Sequence, residues 1–138
     1  MARILALDYG KKRIGIAVTD PLQMIAGGLT TKGPHEIFIF LDDYFKKENV
    51  ECVVLGYPTR MNNQESESFQ YIKQFEKAFR RKYPEMKLDF EDERYTSILA
   101  SRAMVEGGMK KKDRRKKENI DKISAAIILQ SYLERTKK

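Results

Sequence analysis

The sequence predicts an α/β fold in which a mixed sheet opens with antiparallel strands and continues as alternating strands and helices. Three observations carry this. Residues 3–31 read as period-two runs separated by turn signals. From residue 35 onward the apolar spacing switches between helical intervals of three and four and short β-branched runs. The chain has 138 residues, 41% of them hydrophobic, which suits a single domain over residues 1–138 with one buried core.

The first run, residues 3–9, alternates strictly. Arg3, Leu5, Leu7 and Tyr9 share one face, and Ile4, Ala6 and Asp8 the other. Apolar residues on both faces predict a central strand covered on both sides. A turn at Gly10-Lys11-Lys12 leads into a second strand over 13–20, with Ile14, Ile16 and Val18 on one face. Gly15 and Ala17 thin its other face, as expected where another element or a ligand approaches closely. Pro21 closes this run, and a weaker third strand follows over 24–31.

Residues 35–48 carry an aromatic and aliphatic stripe ending in Lys46-Lys47, which predicts a helix. Residues 50–56 form a β-branched run ending in Gly56, a buried strand. A second helix is expected over 64–83, with Phe69, Ile72, Phe75 and Phe79 at helical spacing and Pro84 as its stop. A strand over 88–93 and a helix over 96–106, capped by Thr96 or Ser97 and halted by Gly107-Gly108, come next. A final helix spans about 119–134.

Several classes are excluded or disfavoured. No stretch approaches the ~18 apolar residues of a membrane span. The first residues run directly into a strand pattern, so no signal peptide is expected. Cys52 is the one cysteine, which rules out an intrachain disulfide or a thiolate-rich metal site. A soluble, cytoplasmic protein is the expectation. No Walker A sequence is present, and Gly10 and Gly15 do not form a dinucleotide fingerprint. Cys52 reads as a buried small hydrophobe, His35 as a helix-entry residue, and the phenylalanines of 69–79 as core.

The net charge is +7, and Lys110, Lys111, Lys112, Arg114, Arg115, Lys116 and Lys117, interrupted by Asp113, account for +6 of it. So dense a block repels itself and predicts a solvated loop. Its simplest role is solubilising, but its density favours contact with a polyanion, with these seven residues as nucleic-acid contacts.

Three acids occupy unusual places. Asp8 lies at the outgoing end of the most buried strand, Glu93 ends the strand over 88–93, and Asp121 opens the final helix. A carboxylate near a core is costly unless paired with donors or a cation. Taken singly, each has an ordinary explanation: a turn at Asp8, a Glu93–Arg94 pair, or a favourable helix-end charge at Asp121.

Together with their surroundings they become specific. Leu7-Asp8-Tyr9-Gly10 with Arg13-Ile14-Gly15-Ile16-Ala17-Val18-Thr19-Asp20 resembles the opening motif of the YqgF family. The similarity continues in Val54-Leu55-Gly56-Tyr57-Pro58 and Met61-Asn62, in Asp92-Glu93-Arg94-Tyr95-Thr96-Ser97, and in Asp121-Lys122-Ile123-Ser124-Ala125-Ala126. Four matches run in order over nearly the whole chain. Names used for that family are pre-16S rRNA nuclease and Holliday junction resolvase.

The resemblance implies a ribonuclease H-like fold with Asp8, Glu93 and Asp121 gathered at one sheet edge as catalytic, metal-holding acids. Such a set of hard oxygen donors suits two Mg²⁺ or Mn²⁺ ions, with Asp8 the candidate bridge. The implied reaction is phosphodiester hydrolysis on structured RNA, such as precursor rRNA, or on branched DNA, by a monomer or homodimer. Asp92, Glu91 and Asp20 are candidates for a fourth acid. Arg94 is either a phosphate contact or the residue that neutralises the acidic strand over 89–93. The segment Asn62-Asn63-Gln64-Glu65-Ser66 departs from the family pattern of an Asp-Gly pair after the methionine. A non-catalytic nucleic-acid-binding module is the competing class. A sugar-kinase or actin-type fold, whose strand opening is similar, needs two such domains and does not fit the length.

Overall fold

The structure, a computed structural model, describes residues 2–10, 12–57, 67–92 and 117–136. Strands β1 (Arg3–Tyr9), β2 (Ile14–Thr19) and β3 (Ala26–Lys32) come first. They are followed by α1 (Ile37–Lys47), β4 (Val50–Tyr57), α2 (Glu67–Lys82), β5 (Lys87–Asp92) and α3 (Lys117–Thr136). The sheet order is β3-β2-β1-β4-β5. β1 pairs antiparallel with β2 and parallel with β4, β2–β3 is antiparallel, and β4–β5 is parallel. This is the mixed sheet expected from the sequence, with β1 at its centre.

The strict alternation in β1 splits the core into two layers. Leu5 and Leu7 join Ile14, Ile16, Val53 and Leu55 against Ile37 and Leu41 of α1 and Ile72, Phe75 and Phe79 of α2. Ile4 and Ala6 join Ala17, Cys52 and Val54 against Ala125, Ile128, Leu129, Tyr132 and Leu133 of α3. The first layer is bulky and aromatic: the Phe38 ring stacks on Phe75 at 5.4 Å and Tyr9 lies 4.9 Å from Phe75. The second is built on small residues, so α3 can come close. At Gly28 an added Cβ would lie 3.1 Å from Lys122 Cβ and 3.2 Å from its carbonyl oxygen. The thin face of β2 noted in the sequence is therefore the seat of α3.

Most elements lie within a residue or two of expectation. One difference is informative. α3 begins at Lys117, so the last residue of the basic block belongs to a helix and not to a loop. Asp121 is consequently the fifth residue of α3, past the first turn. The helix-end explanation for its charge weakens, because that effect fades within one turn. The expected helix over 96–106 lies outside the described residues.

Candidate nuclease site at the sheet edge

Asp8 is the second-to-last residue of β1. Its register partners are Gly15 of β2 and Gly56 of β4. Glycine on both flanking strands means that no side chain of either strand stands directly beside this carboxylate in its row. Asp8 shares a face with Ile4 and Ala6, the face on which α3 packs. It is half-buried, where the layers of the core give way to the strand ends. The turn that follows is tight: the Gly10 amide donates to the Arg13 carbonyl at 2.9 Å, and a Cβ at Gly10 would meet that oxygen at 2.7 Å. Only glycine fits there.

α3 brings Asp121 to the same side of the sheet. Lys122, its neighbour in the chain, packs over Gly28 of β3. Glu93 and Arg94 lie outside the described residues, one and two positions past the end of β5. Lys110, Lys111, Lys112, Arg114, Arg115 and Lys116 also lie outside them. Lys117 is placed in the first turn of α3. Among the described residues no three potential metal-ligating side chains come together.

Of the candidates for a fourth acid, Asp20 and Glu91 have described side chains, and that of Asp92 lies outside the description. Asp20 follows the outgoing end of β2, which runs antiparallel to β1. Five residues of strand, roughly 16 Å, divide it from Gly15 and thus from the row of Asp8. There it binds the backbone amides of Met24 and Ile25 at 2.8 Å each, and the Ile25 amide above all holds its carboxyl below the ordinary range. It is a turn residue. Glu91 pairs with Gly56 in the β4–β5 register, so Asp8, Gly56 and Glu91 form one row across three strands. Glu91 is only 7% exposed. It accepts hydrogen bonds from Ser131 Oγ at 2.7 Å and Arg135 Nε at 2.8 Å. The nearby Asp89 accepts one from the Tyr132 hydroxyl at 2.8 Å.

These last contacts add partners for the acidic strand that the sequence reading did not name. Arg94 lies outside the described residues; within them, the carboxylates of β5 are met from α3. Ser131 and Tyr132 donate hydrogen bonds to Glu91 and Asp89, and Arg135 pairs its charge with Glu91. Sequence could not show this, because the pairs are 40 to 44 residues apart. The only hint was polar residues recurring at helical spacing in an otherwise apolar helix. Cys52 is buried, its thiol pushed up by that burial, as expected for a core residue and not a nucleophile. His35 is exposed just ahead of α1, and Phe75 and Phe79 are core.

The chain matches the family model described as RuvX, Holliday junction resolvase, over residues 2–135. It is 56% identical over 137 residues, 99% of each chain, to a protein of Phocaeicola vulgatus named "Putative pre-16S rRNA nuclease". A protein of Christiangramia forsetii with the same name is 56% identical over 133 residues, covering 96% of this chain and 98% of that one. Among solved structures, Thermus thermophilus RuvC in complex with a Holliday junction substrate superposes with a TM-score of 0.60 at 15% identity, over 98% of this chain and 96% of that one. The yeast mitochondrial Holliday junction resolvase superposes at 0.54 and 9% identity, over 98% of this chain and 81% of that one. At such identities these likenesses concern the fold, which is that of the RuvC-like, ribonuclease H-fold resolvases.

Proposed function

The chain belongs to the RuvX Holliday junction resolvase family, and on that premise we propose a divalent-metal-dependent nuclease that processes the 5′ end of precursor 16S rRNA in the cytoplasm. The activity is hydrolysis of phosphodiester bonds. The observation that carries the reading is the placement of Asp8. It is an acid at the outgoing end of the central strand, flanked by glycine on both sides, on the face that also receives the helix bearing Asp121. Glu93, two residues beyond Glu91, completes the proposed set.

Carboxylate oxygens without thiolate or imidazole fit Mg²⁺ or Mn²⁺ and do not fit zinc. Bound ions of this kind supply water activation and stabilisation of the leaving oxygen. Asp8, Glu93 and Asp121 would hold them. The chain's own contribution is placement: β1 carries Asp8 at its outgoing end, α3 carries Asp121 on the same side of the sheet, and Glu93 follows β5 directly in the chain. The basic residues of 110–117, with Arg94, would hold phosphates flanking the scissile bond. None of the helices among the described residues is long and apolar enough to cross a membrane.

A four-way DNA junction is the second reading, favoured by the description of the matching family. Both use the same chemistry and differ in substrate. The test is to offer labelled precursor rRNA, a four-way junction and linear duplexes with Mg²⁺, with Mn²⁺, and with excess chelator. Metal-dependent cuts at the mature 5′ end of the rRNA are expected. Symmetric cuts in the junction alone would select the second reading, and undiminished cleavage by metal-free protein in chelator would overturn both.

A further inference from the structure

The row that holds Asp8 ends in a carboxylate that the proposed reaction does not use. Glu91 is nearly buried, yet one of its partners, Arg135, is 55% exposed on its side chain. An exposed arginine contributes little to stability through such a pair. What it does provide is geometry. Its Nε reaches Glu91 at 2.8 Å, a terminal nitrogen reaches the Phe90 carbonyl at 3.3 Å, and its guanidinium lies 5.4 Å from the Tyr132 ring centre. Ser131 adds the second hydrogen bond to the same carboxylate, and Tyr132 ties down Asp89 two residues earlier. Three side chains on the last turns of α3 thus grip the outgoing end of β5.

The other half of α3 is held at the far side of the sheet, where Lys122 sits against Gly28 of β3. From Lys122 to Arg135 the helix advances thirteen residues, roughly 20 Å. From β3 to β5 the sheet is four strand spacings wide, roughly 19 Å. The two attachments therefore span the sheet, one at each edge strand. Asp121 adjoins the first, and Glu93 follows the second by two residues, no more than about 7 Å of chain.

We propose that Arg135 and Ser131, acting through Glu91, are positioning residues that lock the end of β5 to α3 and so set the spacing between Asp121 on α3 and Glu93, which follows β5 in the chain. The inference rests on the reading of Asp8, Glu93 and Asp121 as the working acids. It assigns no contact with substrate to Arg135 itself. If the clamp is loosened, β5 and α3 remain folded on the core, but Glu93 and Asp121 lose their mutual register. Displacements of this kind in the groups that orient ligating carboxylates cost about 10–100-fold in activity.

The experiment compares wild type, Arg135→Gln, Arg135→Lys, Ser131→Ala and the double variant Glu91→Leu/Arg135→Leu, which removes the buried charge together with its partner. Three quantities are measured: amide hydrogen exchange in metal-free protein, thermal melting, and single-turnover cleavage across a range of Mg²⁺ concentrations. Arg135→Gln should exchange faster at the end of β5, with β1 unchanged, cleave about 10–100-fold more slowly, and need more Mg²⁺ for half-maximal rate. Arg135→Lys should recover part of the loss, and Ser131→Ala should show a smaller one. The double variant should melt like wild type yet remain slow. A double variant that cleaves at the wild-type rate overturns the proposal, as does unaltered exchange at the β5 end in Arg135→Gln. If wild type itself cleaves without metal, the reading of the acids fails, while the exchange data still report on the clamp.

Discussion

At the scale of single residues, the polar groups in this protein are set by who faces them across the sheet–helix boundary. Tyr132 is buried and its hydroxyl donates to Asp89 at 2.8 Å. Burial alone would push the Asp89 carboxyl up, but the Tyr132 hydroxyl and the Phe90 amide, with the charges of Lys87 and Arg135, together outweigh it, and the group ends below the ordinary carboxylate value. The Tyr132 hydroxyl is itself pushed up, by burial first and by Asp89 next, so it stays a donor throughout the neutral range. A carboxylate depressed in the folded state stabilises the fold above its unfolded pKa of ~3.9, and that stabilisation is lost as pH falls through the folded value. Tyr132→Phe should therefore lower stability at neutral pH, by about 1.5–3 kcal/mol for a hydrogen bond to a charged acceptor. The gap between variant and wild type should narrow as pH falls below about 4. Thermal melting against pH checks it, and a gap that stays constant into acid would assign the loss to packing alone.

At the scale of elements, strands and helices with a strong apolar period were legible and charged ends were not. β1 shows both of its faces in seven residues, and the Ile72, Phe75 and Phe79 stripe of α2 names its own core. The start of α3 was hidden because Lys117 and Glu118 carry no apolar signal, and a run of lysine and arginine reads as solvated chain. The Glu91–Arg135 pair and the seat of Lys122 on Gly28 were hidden for a different reason. Both depend on how α3 lies across the sheet, which local periodicity does not encode. Asp8 was legible as an anomaly at a buried strand end, but that both its register neighbours are glycine emerged only with the strand order. The basic segment belongs to this scale too. Replacing its seven lysines and arginines with Gln should weaken binding at low salt. The log–log salt slope should fall by roughly 0.7–0.9 for every phosphate that the protein no longer neutralises. Melting should change little, since charges of this kind contribute little to a core. Filter binding across a salt series measures affinity and slope together, and an unchanged slope would make the segment a solubiliser.

At the scale of the whole molecule, the two faces of the sheet divide the work. The face under α1 and α2 is packed with aromatic and branched side chains that hold the sheet rigid. The face under α3 is lined by small residues, so a helix bearing Asp121 can lie close to the strand bearing Asp8. Charge is divided in the same way, with most of the net +7 concentrated in one segment that leads into α3. The central claim is that Asp8 holds the ions that do the chemistry, and Asp8→Asn tests it most directly because the shape is kept and the charge removed. Single-turnover cleavage, metal-free substrate binding and thermal melting should be measured side by side on wild type and variant. Cleavage should fall by several orders of magnitude in the chemical step, while binding and melting hold or rise slightly, since one of several repelling carboxylates is gone. Wild-type cleavage by Asp8→Asn, or a joint loss of cleavage, binding and stability, would contradict the account.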